Sequence, residues 1–235
     1  LWHMDGNWMD YSGNGNNGVI ADSPGFTSDK IMGTLAGKFD GISDGVYVSD
    51  STNKLAPSTL TVESWFKSDD KFDAGASVMI LYKGVYDPYP NMAYSLEVIK
   101  STGKLHGRSD TAGVSVTSST SVADNAWHHA VFIVDNATNE AILYLDGVLQ
   151  GAQTFTGVIK QTTEPLAIGK YYANNDYDFS GLIDEVAIYK RALTAEEIEQ
   201  SYNAGIGRVA VWHTDNTWND SSENQSNGTA YGNPV

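Results

Sequence analysis

Asp10, Ser12 and Asn14 place oxygen-bearing side chains at alternate positions, and Gly15 follows them. Alternate oxygens with a glycine at the sharp turn can wrap one hard cation, as in the opening half of a calcium loop. Asn17 adds a further oxygen, but the chain supplies no bidentate Glu and no helix after it, so this is not an EF-hand. Asx turns by Asp10 and Asn14 explain the same residues without a metal. The histidines offer less. His128 and His129 are neighbours on a predicted strand and face opposite sides of the sheet, so they cannot hold one ion together. The chain has no cysteine, which removes thiolate sites and disulfides alike.

Catalysis finds little support. Glu63 and Glu97 stand isolated, Asp184 and Glu185 are adjacent strand residues that point apart, and no nucleophile elbow is present. Sugar binding is better served. It needs aromatic faces and planar polar groups carried on loops over a rigid scaffold. Two stretches have that makeup, Tyr82 to Asn91 and Tyr171 to Asp178. Their candidate ligand-binding residues are Tyr86, Asp87, Tyr89 and Asn91 in the first, and Tyr171, Tyr172, Asn174, Asp176 and Tyr177 in the second.

The scaffold that positions them reads as strands. Thr59 to Lys67 alternates with period two. Further strand candidates are Ser77 to Lys83, Met92 to Ile99, Leu105 to Ser109, Trp127 to Asp135, Glu140 to Leu145, Pro165 to Ile168 and Gly181 to Tyr189. Leu1 to Met4 is a further strand candidate, and Asp146-Gly147 is a two-residue hairpin signal. One helix is expected, with Thr194 as N-cap, Glu197 closing a capping box and Gly205 as its stop. Many short strands with one late helix predict an antiparallel sandwich. The net charge of −15, from 29 acidic and 14 basic residues, repels a phosphate backbone and an anionic membrane surface. No apolar run is long enough to span a bilayer.

Four motifs in order carry a resemblance: the opening Trp2 to Gly18, Ala126-Trp-His-His-Ala-Val131, the hairpin Leu143-Tyr-Leu-Asp-Gly147, and Phe179 to Tyr189 followed by Arg191 to Ile198. Together they resemble the laminin G-like modules of the concanavalin A-like lectin/glucanase superfamily. That resemblance implies an all-β jelly-roll sandwich of two curved antiparallel sheets with one short C-terminal helix. It also implies a structural Ca2+ where the first loop meets the last strand, with Asp184 as the distant ligand completing Asp10, Ser12, Asn14 and Asn17. Glycosidases of this fold resemble one another in a strand motif Glu-x-Asp-x-x-Glu, which this sequence lacks. The expectation is a non-catalytic extracellular recognition module for a glycan or a cell-surface protein. The alternative is a structural repeat of a surface fibre, filament or adhesin stalk.

The chain also repeats itself. At an offset of 210, Trp2, His3, Asp5, Trp8, Asp10, Ser12, Asn14, Asn17 and Gly18 recur as Trp212, His213, Asp215, Trp218, Asp220, Ser222, Asn224, Asn227 and Gly228. A tandem array explains this, with one module over residues 1–205 and the start of a second over 206–235. The short second piece cannot build a core alone, and strand addition to another copy is one use for it, giving self-association through residues 206–235. Four N-x-S/T sequons, at Asn136, Asn219, Asn224 and Asn227, fit an extracellular setting.

Overall fold

A computed structural model of the chain describes residues 1–68, 77–85, 91–171 and 177–207. Among them, fourteen strands form two seven-stranded antiparallel sheets. The first sheet runs β1 (Gly18–Ala21), β4 (Gly45–Val48), β13 (Leu166–Ile168), β6 (Val78–Val85), β7 (Asn91–Ile99), β8 (Lys104–Ser109) and β9 (Val114–Ser121). The second runs β12 (Val148–Thr154), β11 (Glu140–Leu145), β10 (Trp127–Asp135), β5 (Leu60–Ser68), β14 (Ser180–Tyr189), β3 (Ala36–Asp40) and β2 (Gly25–Thr27). This is the expected jelly-roll sandwich. Alternate residues of the paired strands, among them Val62, Phe66, Leu96, Leu105, Phe132 and Ile183, are sequestered in one main core, as period-two patterning requires.

Several predicted boundaries shift. Leu1 to Met4 is not a strand but a single bridge. The Trp2 amide donates to the Val186 carbonyl at 2.8 Å, and the Val186 amide returns the bond at 3.0 Å. Trp2 and Met4 are nonetheless buried in the core, and Trp8 stacks on Phe26 with ring centres 4.6 Å apart. The strand expected over Ser77 to Lys83 is β6, which runs on to Val85, so Tyr82 at the head of the expected loop lies within the strand. The short edge strands β1 and β2 carry too few residues for periodicity to show.

The chain divides after residue 192 into two units. In the second, described to residue 207, helix α1 (Ala195–Gly205) has the expected capping box. The Glu197 amide donates to Thr194 Oγ1 (3.3 Å), and the Thr194 amide donates to Glu197 Oε2 (2.9 Å).

Candidate functional site

The outer face of the first sheet, turned away from the main core, carries the most distinctive side chains. Strand register places Tyr47, Ala167, Tyr82, Ser95, Arg108 and Ser115 in one row across it. The next row holds Met79, Glu97, His106 and Thr117. Met79 and Tyr82 are three residues apart and would face opposite ways on a regular strand. A bulge between Met79 and Leu81 inserts one residue and brings both to the outer face.

There Met79, Tyr82, Met92, Ala167 and Tyr171 form a second apolar cluster, with Tyr47 and Tyr177 packed against it. Tyr171 meets Tyr82 edge-on (4.9 Å, 81°) and Tyr177 at 5.0 Å and 67°. The segment bearing these tyrosines is pinned at several points. The Met79 amide donates to the Tyr177 carbonyl (2.8 Å), and Asp178 accepts from the Lys170 ammonium (2.7 Å) and the Tyr171 amide (3.2 Å). Burial raises the Asp178 pKa, against the pull of Lys170.

The cluster walls a cavity of about 290 Å³, whose lining includes Tyr82, Met92, Tyr171 and Tyr177. Its polar side is made by Glu97, Arg108 and Asp110. Glu97 is 1% exposed, with Oε1 2.8 Å from His106 Nδ1 and Oε2 accepting from the Ser95 hydroxyl at 3.4 Å. Arg108 donates from Nε and Nη2 to the two oxygens of Asp110 at 2.5 and 2.8 Å, a bidentate pair. Tyr82 is 2% exposed, and its hydroxyl has no hydrogen-bond partner among the described residues. Burial, with Tyr171 beside it, pushes that phenol well above its ordinary pKa, so it stays neutral. A cavity with aromatic walls, a buried unmet hydroxyl and convergent carboxylate and guanidinium groups suits a ligand rich in hydroxyls.

Of the residues expected to bind ligand, Tyr171 and Tyr177 line this cavity. Asn91 stands at the start of β7 next to the lining residue Met92, where it accepts from Lys160 Nζ at 2.6 Å. Tyr86, Asp87, Tyr89, Tyr172, Asn174 and Asp176 lie outside the described residues. Sequence reasoning missed Met79, Tyr82, Met92, Glu97, Arg108 and Asp110. The alternation of Leu105, Gly107 and Ser109 against His106 and Arg108 was the available signal for the polar side, because it leaves a His and an Arg on one face.

The calcium expectation fares differently. Asp10 is held within its own loop, accepting from the Ser12 and Asn16 amides at 2.9 Å each, while its amide donates to Asn17 Oδ1 at 2.9 Å. Asn14 donates to Ser12 Oγ through both its amide and its side chain. Burial opposes the Asp10 charge, but the Ser12 and Asn16 bonds outweigh it and lower its pKa. Asp184 is engaged elsewhere, accepting from the Ile31, Met32 and Glu185 amides. Among the described residues, no group of three or more His, Asp or Glu is placed to hold a metal. Calcium takes six to eight oxygens, and here the carboxylates are turned to N–H donors. Asp10, Ser12, Asn14 and Asn17 thus share one loop closed by its own hydrogen bonds, while Asp184 anchors residues 31 and 32.

Other buried acids are also engaged away from the cavity. Glu63 accepts from the Tyr189 hydroxyl at 2.6 Å, and Glu185 lies 2.7 Å from His3 Nδ1.

The sequence matches the laminin G-like family described as the Concanavalin A-like lectin/glucanases superfamily over residues 40–199. The chain belongs to that family. No curated protein matches the sequence. Among solved structures, it is similar to domain 4 of AbnA, an extracellular arabinanase from Geobacillus stearothermophilus solved with arabinotriose. Identity there is 21%, covering 84% of this chain and 94% of that domain, with a TM-score of 0.64. It is also similar to the binding domain of Paraclostridial Mosquitocidal Protein 1 (16% identity, 87% of this chain and 51% of that one, TM-score 0.67). The binding domain of botulinum neurotoxin DC, solved with SialylT, gives 12% identity over 91% of this chain and 51% of that one, TM-score 0.65. The chain thus spans about half the length of the toxin binding domains. At these identities the likeness concerns fold.

Proposed function

We propose that the chain is a non-catalytic glycan-binding module of an extracellular or cell-surface protein, and that its site is the outer-face cavity walled by Tyr82, Tyr171 and Tyr177. The observation that carries this reading is the buried Tyr82 hydroxyl, unmet in the structure and lining a cavity with aromatic walls. The family and the sugar-bound AbnA domain support it. Buried polar groups find partners, and a sugar hydroxyl is one of the right size and chemistry. The aromatic rings cover the apolar face of a sugar ring, while Glu97 and Asp110 accept from its hydroxyls. Among the described residues, no helix is long and apolar enough to cross a membrane.

Tyr82→Phe isolates this claim because it removes one oxygen and no packing. On a glycan array its retention is expected to fall about 3–10-fold, the worth of one hydrogen bond. Its melting temperature should stay level or rise, since no internal bond is lost. Retention equal to the native chain would contradict the site. Running the array with and without chelator tests calcium as well. The closed Asp10 loop predicts no change in binding or melting temperature, whereas a lower melting temperature would restore Asp10 as a metal ligand.

The second reading, a structural repeat in a fibre or stalk, is favoured by the recurrence of residues 1–18 at 211–228. In the first copy the repeated residues make specific contacts. Trp2 bridges Val186, His3 pairs with Glu185, Asp5 accepts from the Thr34 and Leu35 amides, and Trp8 packs on Phe26. Residues 208–235, to which the self-association expectation belongs, lie outside the described residues. Tandem modules and glycan binding are compatible, because repetition multiplies weak sites into avidity.

A further inference from the structure

We propose that Asp110 acts as a charge gate: by holding Arg108 in a closed bidentate pair, it makes the cavity select neutral glycans and reject carboxylated ones. The inference rests on the glycan-binding reading above and names the ligand class for that site.

The charges at the cavity lead to this choice. Glu97 and Asp110 present two carboxylates, and Arg108 is the guanidinium among the lining residues. The Arg108 Nε and Nη2 donors are spent on Asp110 at 2.5 and 2.8 Å. Guanidinium recognises sugar carboxylates through such a fork; here Asp110 occupies the Nε–Nη2 edge and offsets the charge, so a carboxylated ligand must compete with Asp110 for that edge. Asp110 has a side chain only 6% exposed, which keeps the pair out of competing water, while Arg108 remains 30% exposed at the cavity. The deeper carboxylate, Glu97, is 1% exposed and faces His106 and Ser95. The nearby Lys170 is paired with Asp178. A carboxylated sugar entering here meets two carboxylates and a guanidinium already paired with one of them, while a neutral sugar meets acceptors for its hydroxyls and the Tyr82 hydroxyl. The whole chain, at −15, adds to the bias.

Asp110 is therefore a specificity-determining residue. Asp110→Asn keeps shape and volume but removes the charge that occupies Arg108. The test measures retention of the full chain on neutral polysaccharides (arabinan, xylan, mannan) against polygalacturonate and sialylated oligosaccharides at low and moderate salt. The native chain should favour the neutral set by about tenfold or more. In Asp110→Asn the anionic-to-neutral ratio should rise by about tenfold, with the gain shrinking as salt increases. A native preference for anionic glycans, or an unchanged ratio in Asp110→Asn, would overturn the gate and leave the site standing. A native chain retained by neither set would overturn the glycan-binding reading and the gate with it.

Discussion

Lys83 is fully buried, with its ammonium 2.8 Å from Asp50 and donating to the Thr162 carbonyl at 3.0 Å and to the Glu164 carbonyl. Burial lowers its pKa, and the Asp50 bond only partly restores it. Asp50 in turn accepts from the Lys54 and Leu55 amides at 2.7 and 3.0 Å, so one ion pair ties β6 to two loops. Removing one partner of such a pair leaves a buried charge, so Lys83→Met should cost about 3–5 kcal/mol in urea melts. Adding Asp50→Asn should recover part of that loss. The sequence reads Lys83 as the end of a strand but does not mark it as buried, because its partner Asp50 is distant in the chain and no local pattern announces the pair. Of the tyrosines singled out in the sequence, Tyr171 and Tyr177 line the cavity. Asp10 and Asp184 stood out in the sequence as acids, but the amides they accept from did not, because a carboxylate that accepts amides and one that binds calcium have the same local sequence.

The elements were easier to read than their irregularities. Long strands announce themselves, β5 by alternation and β10 by the apolar run Ala130 to Val134, and α1 by its capping box. The bulge in β6 does not. It decides the site, because it turns Met79 and Tyr82 to one face, and no residue type at Ile80 signals an extra residue. The bulge in β14 between Asp184 and Ala187 is similar, with Glu185 in the left-handed region at φ +49°. That conformation directs Glu185 to His3 in the opening segment. Residues 1–8 therefore pack as part of the sandwich although they form no strand. Trp2→Ala removes a side chain that is 2% exposed, together with the indole donor bonded to the Asn16 carbonyl at 2.9 Å. It should cost about 3–5 kcal/mol in chemical denaturation.

For the whole molecule, buried acids and a paired histidine set the pH dependence. Burial raises the Asp184 pKa to about 7 despite its amide bonds. The folded state then holds a proton that the unfolded chain releases near pH 4, so stability falls as pH rises from about 4 to 7. His128 acts in a similar sense. Burial lowers its pKa, but Asp146 and Asp124 raise it further than burial takes it down, and that stability is present below its unfolded value and lost as pH rises through the folded one. In the other direction, Asp10 is held below its ordinary value, and its contribution is lost as pH drops below about 4. Thermal melts should therefore peak on the acid side of neutrality, at about pH 5. Asp184→Asn should flatten the decline between about pH 4 and 7, and an unchanged slope would show that the Asp184 proton is not the source. Fold class followed from strand count, but the location of the cavity depended on register between strands distant in sequence.

On the glycan-binding reading, a glycan occupies the outer-face cavity. The most direct measurement is NMR titration of the full chain with the best-retained neutral oligosaccharide, following tyrosine ring and methionine methyl signals. Shifts should concentrate at Met79, Tyr82, Met92, Tyr171 and Tyr177, and Tyr82→Phe should weaken them. Saturable shifts confined to other surfaces, with these five signals unmoved, would contradict it.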